Sequence, residues 1–246
     1  RRRTGPCLRA WNPNVRRNVQ ADQAAGLRRT QAKRRAQVVT VFSAQSGWAM
    51  RLAQGLKTHG ARVLLVDTTG RHAPASNTQS IFSWEAQVAR QCLQPVSLAG
   101  IDTLHAPGAS PGSAAIVQAS MGWDCVLFDG GGEIPSTALT FDASVAQTLV
   151  LEVGVAPEML CHSYALIKTL YLNQIAPRVM LCGEAALCER IVAATRHFLC
   201  TRLDWLETVK LEDDAHLTAL AAKISAAETG AGRFYNNAAG EDLQHG

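Results

Sequence analysis

The sequence of 246 residues lacks a long hydrophobic run, a C-x-x-C pair and the G-x-x-x-x-G-K-[ST] pattern of a lysine-bearing phosphate loop. No apolar stretch approaches the roughly 18 residues of a membrane-spanning helix, so we expect a soluble protein without stable membrane insertion. The seven cysteines mostly lie in apolar segments. They favour reduced, buried thiols of a cytoplasmic protein over a zinc site or a disulfide framework.

Acidic residues are scarce at the start of the chain. Residues 1–35 contain eleven Lys and Arg and one acid, Asp22, for a charge of +10, whereas the remainder contains thirteen basic and nineteen acidic residues, for −6. Residues 1–20 show no apolar period and predict a disordered basic arm. Its charge leaves nucleic acid, an anionic lipid surface and an acidic partner open as contacts.

Strand and helix patterns alternate from residue 37 onward. Residues 37–67 indicate a buried strand (38–42), a turn of small residues (43–47), an amphipathic helix (48–59) and a second buried strand (62–67), which is typical of a parallel βαβ unit. Further strands are predicted at 100–105, 123–129, 145–153, 179–182 and 205–210, with helices at 81–93, 114–121, 164–173 and 184–200. This alternation predicts an α/β fold with a doubly wound, mostly parallel sheet flanked by helices.

The predicted organisation has four parts. They are the basic arm (1–20), a leader helix (21–36), the α/β domain (37–225) and a flexible tail (226–246). The domain ends in a helix with Leu217, Leu220 and Ile224 on one face. Only Lys223 is basic there, so we expect this helix to pack on the domain and not on a membrane surface.

The turn after the first strand is where phosphate groups bind in such a fold. Here it reads Ser43-Ala44-Gln45-Ser46-Gly47, and the nearest cation is Arg51, one turn inside the helix. Asp67 and Asp129 end two buried strands, as carboxylates that hold Mg²⁺ do, although acids also cap turns. Candidate nucleotide-binding residues are therefore Ser46, Gly47, Arg51, Asp67 and Asp129, and no catalytic or metal-binding residue is assigned.

Residues 108–112, with Asp102 and His105 nearby, match the G-x-S-x-G pattern of serine hydrolases. In that pattern the residue after the serine donates its backbone N–H to the oxyanion. Here that residue is Pro111, which has no N–H. The match therefore does not indicate a hydrolase.

The leader carries the sequence Asp22-Gln23-Ala24-Ala25-Gly26-Leu27-Arg28. Asp22 is a good N-cap, but the helix formers after it include too few apolar residues to bury a face. Such a segment is either a frayed leader or a motif that becomes ordered on a partner.

The succession VVTVFS, RLAQGLKTHGARVLLVD, DCVLFDGGG and YALIK resembles the MinD/ParA-like P-loop ATPases over residues 37 to about 225. That family is a three-layer α/β sandwich. DQAAGLR and YALIK (Tyr164 to Lys168) are similar to the FlhG (FleN) group, which regulates flagellar number and placement. The resemblance implies that the leader docks on an FlhF-like SRP-type GTPase through Asp22, Gln23, Leu27 and Arg28. It also implies flagellar switch or C-ring proteins as partners, and a cytoplasmic protein that reaches the inner membrane or cell pole through a partner.

The turn departs from the family's S-G-K-G-G-V-G-K-T-T. It is about five residues short and lacks both lysines and the Mg²⁺-binding threonine, while Thr69 replaces the second acid of D-x-D. Cys182 or Gly183 replaces the asparagine that reads the base, and a basic amphipathic helix at the C-terminus is not evident. We therefore expect a pseudo-ATPase that needs no cofactor, because hydrolysis depends on those positive charges.

Two other functions remain open. One is an ATPase that retains ATP and Mg²⁺ through an altered loop. The other is a nucleic-acid or ribosome-binding role of the basic arm. The leader motif argues against a cellulose-synthesis accessory protein of the same superfamily.

Overall fold

The computed structural model describes residues 36–72, 82–132, 147–210 and 214–226. The predicted arm, the leader motif and the tail beyond residue 226 lie outside these ranges. The described elements, in chain order, are β1 (Gln37–Phe42), α1 (Trp48–Thr58), β2 (Val63–Asp67), α2 (Trp84–Ala89), β3 (Val96–Leu98), β4 (Ile101–His105), α3 (Ala114–Ala119), β5 (Cys125–Asp129), β6 (Gln147–Val153), α4 (Pro157–Leu172), β7 (Arg178–Gly183), α5 (Ala185–Leu199), β8 (Leu206–Lys210) and α6 (Asp214–Ala226).

The strands form one eight-stranded sheet in the order β3-β4-β2-β5-β1-β6-β7-β8. Every pair is parallel except β3 with β4, which is antiparallel at one edge. β2 and β5 are buried along their whole length, as expected for central strands covered on both faces. The predicted fold class, a mostly parallel sheet flanked by helices, is confirmed.

Two layers of helices cover the sheet. On one face, α1 and α6 pack over β1, β2 and β5, with Leu52 of α1 and Leu220 of α6 fully buried. On the other face, α4 and α5 cover β6 and β7, while Ile116 of α3 packs against β2, β4 and β5. Leu217, Leu220 and Ile224 are all buried, which confirms the predicted packing of the last helix.

Several element boundaries differ from prediction. α4 begins at Pro157, seven residues before the predicted start, because proline is favoured in the first turn of a helix and Glu158 follows it there. α2 is shorter than predicted: Ser83 accepts a hydrogen bond from the N–H of Ala86 at its start, and Gln91 adopts a φ of +50° after its end. β3 was not predicted because it is a three-residue edge strand.

The structure also corrects the expectation that the cysteine thiols are buried. Cys125, Cys182 and Cys188 are buried, but Cys92, Cys161 and Cys200 are exposed, and none of these six described residues forms a disulfide. Burial raises the pKa of the Cys188 thiol to about 11, so this thiol is protonated at neutral pH.

None of the described helices is both long and apolar enough to span a bilayer.

Candidate functional site

The turn between β1 and α1 lies at the carboxyl ends of the central strands. The N–H of Ser43 donates to the carbonyl of Gly131 after β5 at 2.8 Å. Gly47, with a φ of +81°, immediately precedes α1. No side chain caps this helix start, and its first residue, Trp48, is buried. The turn is therefore held by its neighbours and by an apolar anchor.

Glu152 of β6 provides the acceptor for the polar groups of this turn. Its Oε2 accepts from Ser43 Oγ at 2.6 Å and from the N–H of Ala44 at 3.1 Å. Its Oε1 accepts from the Gln45 side-chain amide. Arg51, a predicted nucleotide-binding residue, donates from Nη2 to Gln45 Oε1 at 3.4 Å. One carboxylate thus gathers three donors of the turn.

Gly132 brings the segment after β5 against the same turn. A Cβ atom at this position would lie 2.7 Å from Ala44 Cα, which is closer than Cβ atoms approach other atoms in proteins. The Arg71 guanidinium donates to the Ser43 carbonyl at 3.2 Å from another side. The segment after β5 and Arg71 consequently contact the turn from two sides, while residues 44–46 remain exposed.

Asp67, at the end of β2, is fully buried and accepts hydrogen bonds on both oxygens. The N–H groups of residues 69–71 donate to Oδ1 at 2.8–3.2 Å and that of His72 to Oδ2 at 2.9 Å. His105 Nδ1 lies 3.2 Å from Oδ2. Burial raises the pKa of Asp67, but the bonds from His72, Thr69 and His105 outweigh it, so the pKa lies below its ordinary value.

Asp129, at the end of β5, is the partner of Asp67 in the sheet register. Its Oδ2 lies 2.9 Å from His72 Nε2, and its Oδ1 accepts from the N–H of Gly131 at 3.0 Å. The His72 and Asp129 side chains are only 9% and 6% exposed. The hydrogen bond to Asp129 raises the pKa of His72, and burial opposes that rise without cancelling it.

The structure thus brings Asp67 and Asp129 together, while Ser46 and Arg51 lie on the exposed side of the turn. The predicted partner residues Asp22, Gln23, Leu27 and Arg28 are outside the described residues. Sequence reasoning missed His72 and Glu152 as site residues, and it noted His105 only beside the hydrolase-like pattern. His105 ends a predicted strand and Glu152 is a lone acid in the apolar run TLVLEV, whereas His72 follows no such pattern. Within the described ranges, no group of three or more His, Cys, Asp and Glu side chains is placed to hold a metal ion.

The His72–Asp129 pair predicts a pH dependence of stability. Because the folded pKa of His72 lies above its ordinary 6.5, the stabilisation is complete below that pH and is lost as the pH rises through the folded value. We expect the free energy of unfolding of the wild type to exceed that of His72→Gln by less at about pH 8.5 than at about pH 6. Urea denaturation at both pH values measures this difference. His162→Gln, at an exposed site, is the control. A difference that is constant or grows with pH would contradict the assignment.

Comparisons with known proteins give a likeness of fold. No family model matches the chain, and no curated protein matches it in sequence. It is similar to the MinC:MinD cell division protein complex of Aquifex aeolicus, with a TM-score of 0.46 and 13% identity over 79% of this chain and 89% of that one. A partition protein gives a TM-score of 0.46 and 13% identity over 82% of this chain and 72% of that one. HypB from Helicobacter pylori in complex with nickel gives a TM-score of 0.43 and 14% identity over 87% of this chain and 96% of that one. Since these TM-scores are below 0.5, the fold class rests on strand order and register.

Proposed function

We propose that this protein is an FlhG-like regulator of flagellar number and placement that acts as a non-hydrolysing scaffold. Its leader docks on an FlhF-like SRP-type GTPase, which would bring it to the cell pole or inner membrane, and flagellar switch or C-ring proteins are further candidate partners. The observation that carries the proposal is the β1–α1 turn. It contains no lysine, and its donors bind the chain's own Glu152.

The residues at the strand ends also do not fit a magnesium nucleotide. Phosphoryl transfer needs cations that neutralise several phosphate charges in fixed positions. A carboxylate that binds Mg²⁺ must offer a free oxygen. Both oxygens of Asp67 accept N–H groups, and Asp129 is paired with His72. These contacts support a scaffold with no nucleotide-driven switch.

The leader supplies the docking part of the proposal from sequence alone. In DQAAGLR, Leu27 provides an apolar anchor and Arg28 a charge that can reach a carboxylate or phosphate. The motif has too little apolar surface for a stable isolated helix, which favours ordering on a partner. A leader that still carries these side chains beside a turn without its lysine supports docking as the remaining function.

A GTP turnover assay tests this proposal. The full chain is expected to stimulate an FlhF-like GTPase, and Leu27→Ala is expected to lower that stimulation at least about tenfold because an interface anchor is lost. Leu8→Ala, the same change in the basic arm, is the control and should leave stimulation unchanged. The proposal is wrong if the full chain leaves turnover unaltered, or if Leu27→Ala and Leu8→Ala behave alike.

Calorimetry distinguishes the proposal from the retained-ATPase alternative. The wild type is expected to show no heat of binding with MgATP, because the turn offers no free cationic cradle. Micromolar affinity would instead favour an ATPase that uses Ser46, Gly47, Arg51, Asp67 and Asp129 in an altered loop.

A further inference from the structure

We infer that Glu152 is an internal anion that occupies the phosphate position of the β1–α1 turn and excludes external phosphate groups from it. The inference rests on the proposed non-hydrolysing function and gives it a cause besides the missing lysine. It assigns the exclusion to one side chain of β6, which can be replaced without changing the sequence of the turn.

The sheet register explains why Glu152 reaches the turn. β6 lies directly beside β1, and Phe42 pairs with Leu151. Ser43, the residue after β1, therefore lies beside Glu152 of β6. A hydroxyl, a backbone N–H and a side-chain amide of residues 43–45 then converge on one carboxylate. This is the donor set that proteins present to oxyanions.

Charge around the turn favours a resident anion. Arg51 approaches the turn through Gln45 at 3.4 Å, and Arg71 donates to the Ser43 carbonyl at 3.2 Å. Glu152 is an acid that contacts the same turn as these two cations. With the carboxylate present, an external phosphate must compete for the donors and approach a like charge. Without it, the three donors of residues 43–45 would lose this acceptor, and an oxyanion would no longer meet a like charge there.

The cavity beside Glu152 is also small. A cavity of about 10 Å³ lies between the ends of β1 and β6 and the start of α4, where Phe42, Gly132 and Glu152 contribute to its wall. Such a volume holds about one water molecule. Gly132 lies against Ala44, so the segment after β5 leaves little room on this side of the turn.

Two substitutions in the full chain test the inference. Glu152→Ala removes the carboxylate and its volume, and Glu152→Gln removes the charge and keeps the size. Glu158→Gln is the control, since it changes the net charge equally at an exposed site in the first turn of α4. Inorganic phosphate is the probe, with chloride at equal ionic strength as reference. Thermal unfolding and ³¹P NMR titration are expected to show at least about tenfold tighter phosphate binding by Glu152→Ala than by the wild type or Glu158→Gln.

The inference is overturned if folded Glu152→Ala binds phosphate no better than the wild type. If Glu152→Ala does not fold, Glu152→Gln carries the same comparison. Should neither fold alone, restoration by a low concentration of phosphate, at which chloride of equal ionic strength restores nothing, supports the inference, and no such restoration counts against it. GTPase stimulation is a separate readout. Its loss in Leu27→Ala concerns docking, whereas phosphate gained in Glu152→Ala concerns the turn.

Discussion

Asp67→Ala is expected to lower the free energy of unfolding by about 3–5 kcal/mol, one of the largest effects of any single replacement at the ends of the strands. The buried carboxylate accepts the N–H groups of residues 69–72 and contacts His105. Alanine would leave most of these donors without their acceptor at a fully buried side-chain position. Urea denaturation followed by circular dichroism measures the change.

The matched control for this replacement is Asp204→Ala. Its carboxylate is 95% exposed and lies 3.9 Å from Arg202, so its removal should leave stability nearly unchanged. Asp67→Asn keeps the shape and one acceptor oxygen, so its loss of unfolding free energy should lie between those of Asp67→Ala and Asp204→Ala. A loss below about 1 kcal/mol for Asp67→Ala would show that the loop after β2 does not depend on this carboxylate.

The first βαβ unit could be predicted because its signals are local. A buried apolar strand, a turn of small residues and a helix with apolar residues at helical spacing all lie within residues 37–67. The structure places β1, α1 and β2 within about one residue of the predicted boundaries. Turn composition likewise identified the missing lysine without any coordinates.

The contacts that close the site could not be predicted in the same way. Glu152 reaches Ser43 across 109 residues of sequence, and His72 reaches Asp129 across 57. Both contacts depend on which strands are neighbours. Alternating helices and strands predict a parallel sheet, but they do not predict that β1 lies between β5 and β6. The acids at strand ends were therefore recognised, while their partners were not.

Trp48 shows how the turn is held without a phosphate. It is the first residue of α1, directly after Gly47, and its side chain is 1% exposed. It packs in the apolar cluster that α1 and α6 form on one face of the sheet, with Val41 and Leu52 among its members. In phosphate-binding loops, contacts between the bound phosphate and the loop stabilise this region. Here an aromatic side chain in the core supplies the stabilisation.

Trp48→Ala is expected to lower the free energy of unfolding by about 3–5 kcal/mol, because it removes a large buried side chain and leaves a cavity. Trp205→Ala, at a partly buried site before β8, is the control and should cost less. Circular dichroism at 222 nm during urea denaturation suits both variants, since this signal does not rely on indole fluorescence. A loss for Trp48→Ala no larger than for Trp205→Ala would mean that the Glu152 contacts alone hold the turn. A larger loss for Trp48→Ala, as expected, would show that Trp48 anchors the turn in the core, so that the turn keeps its shape with no ligand bound.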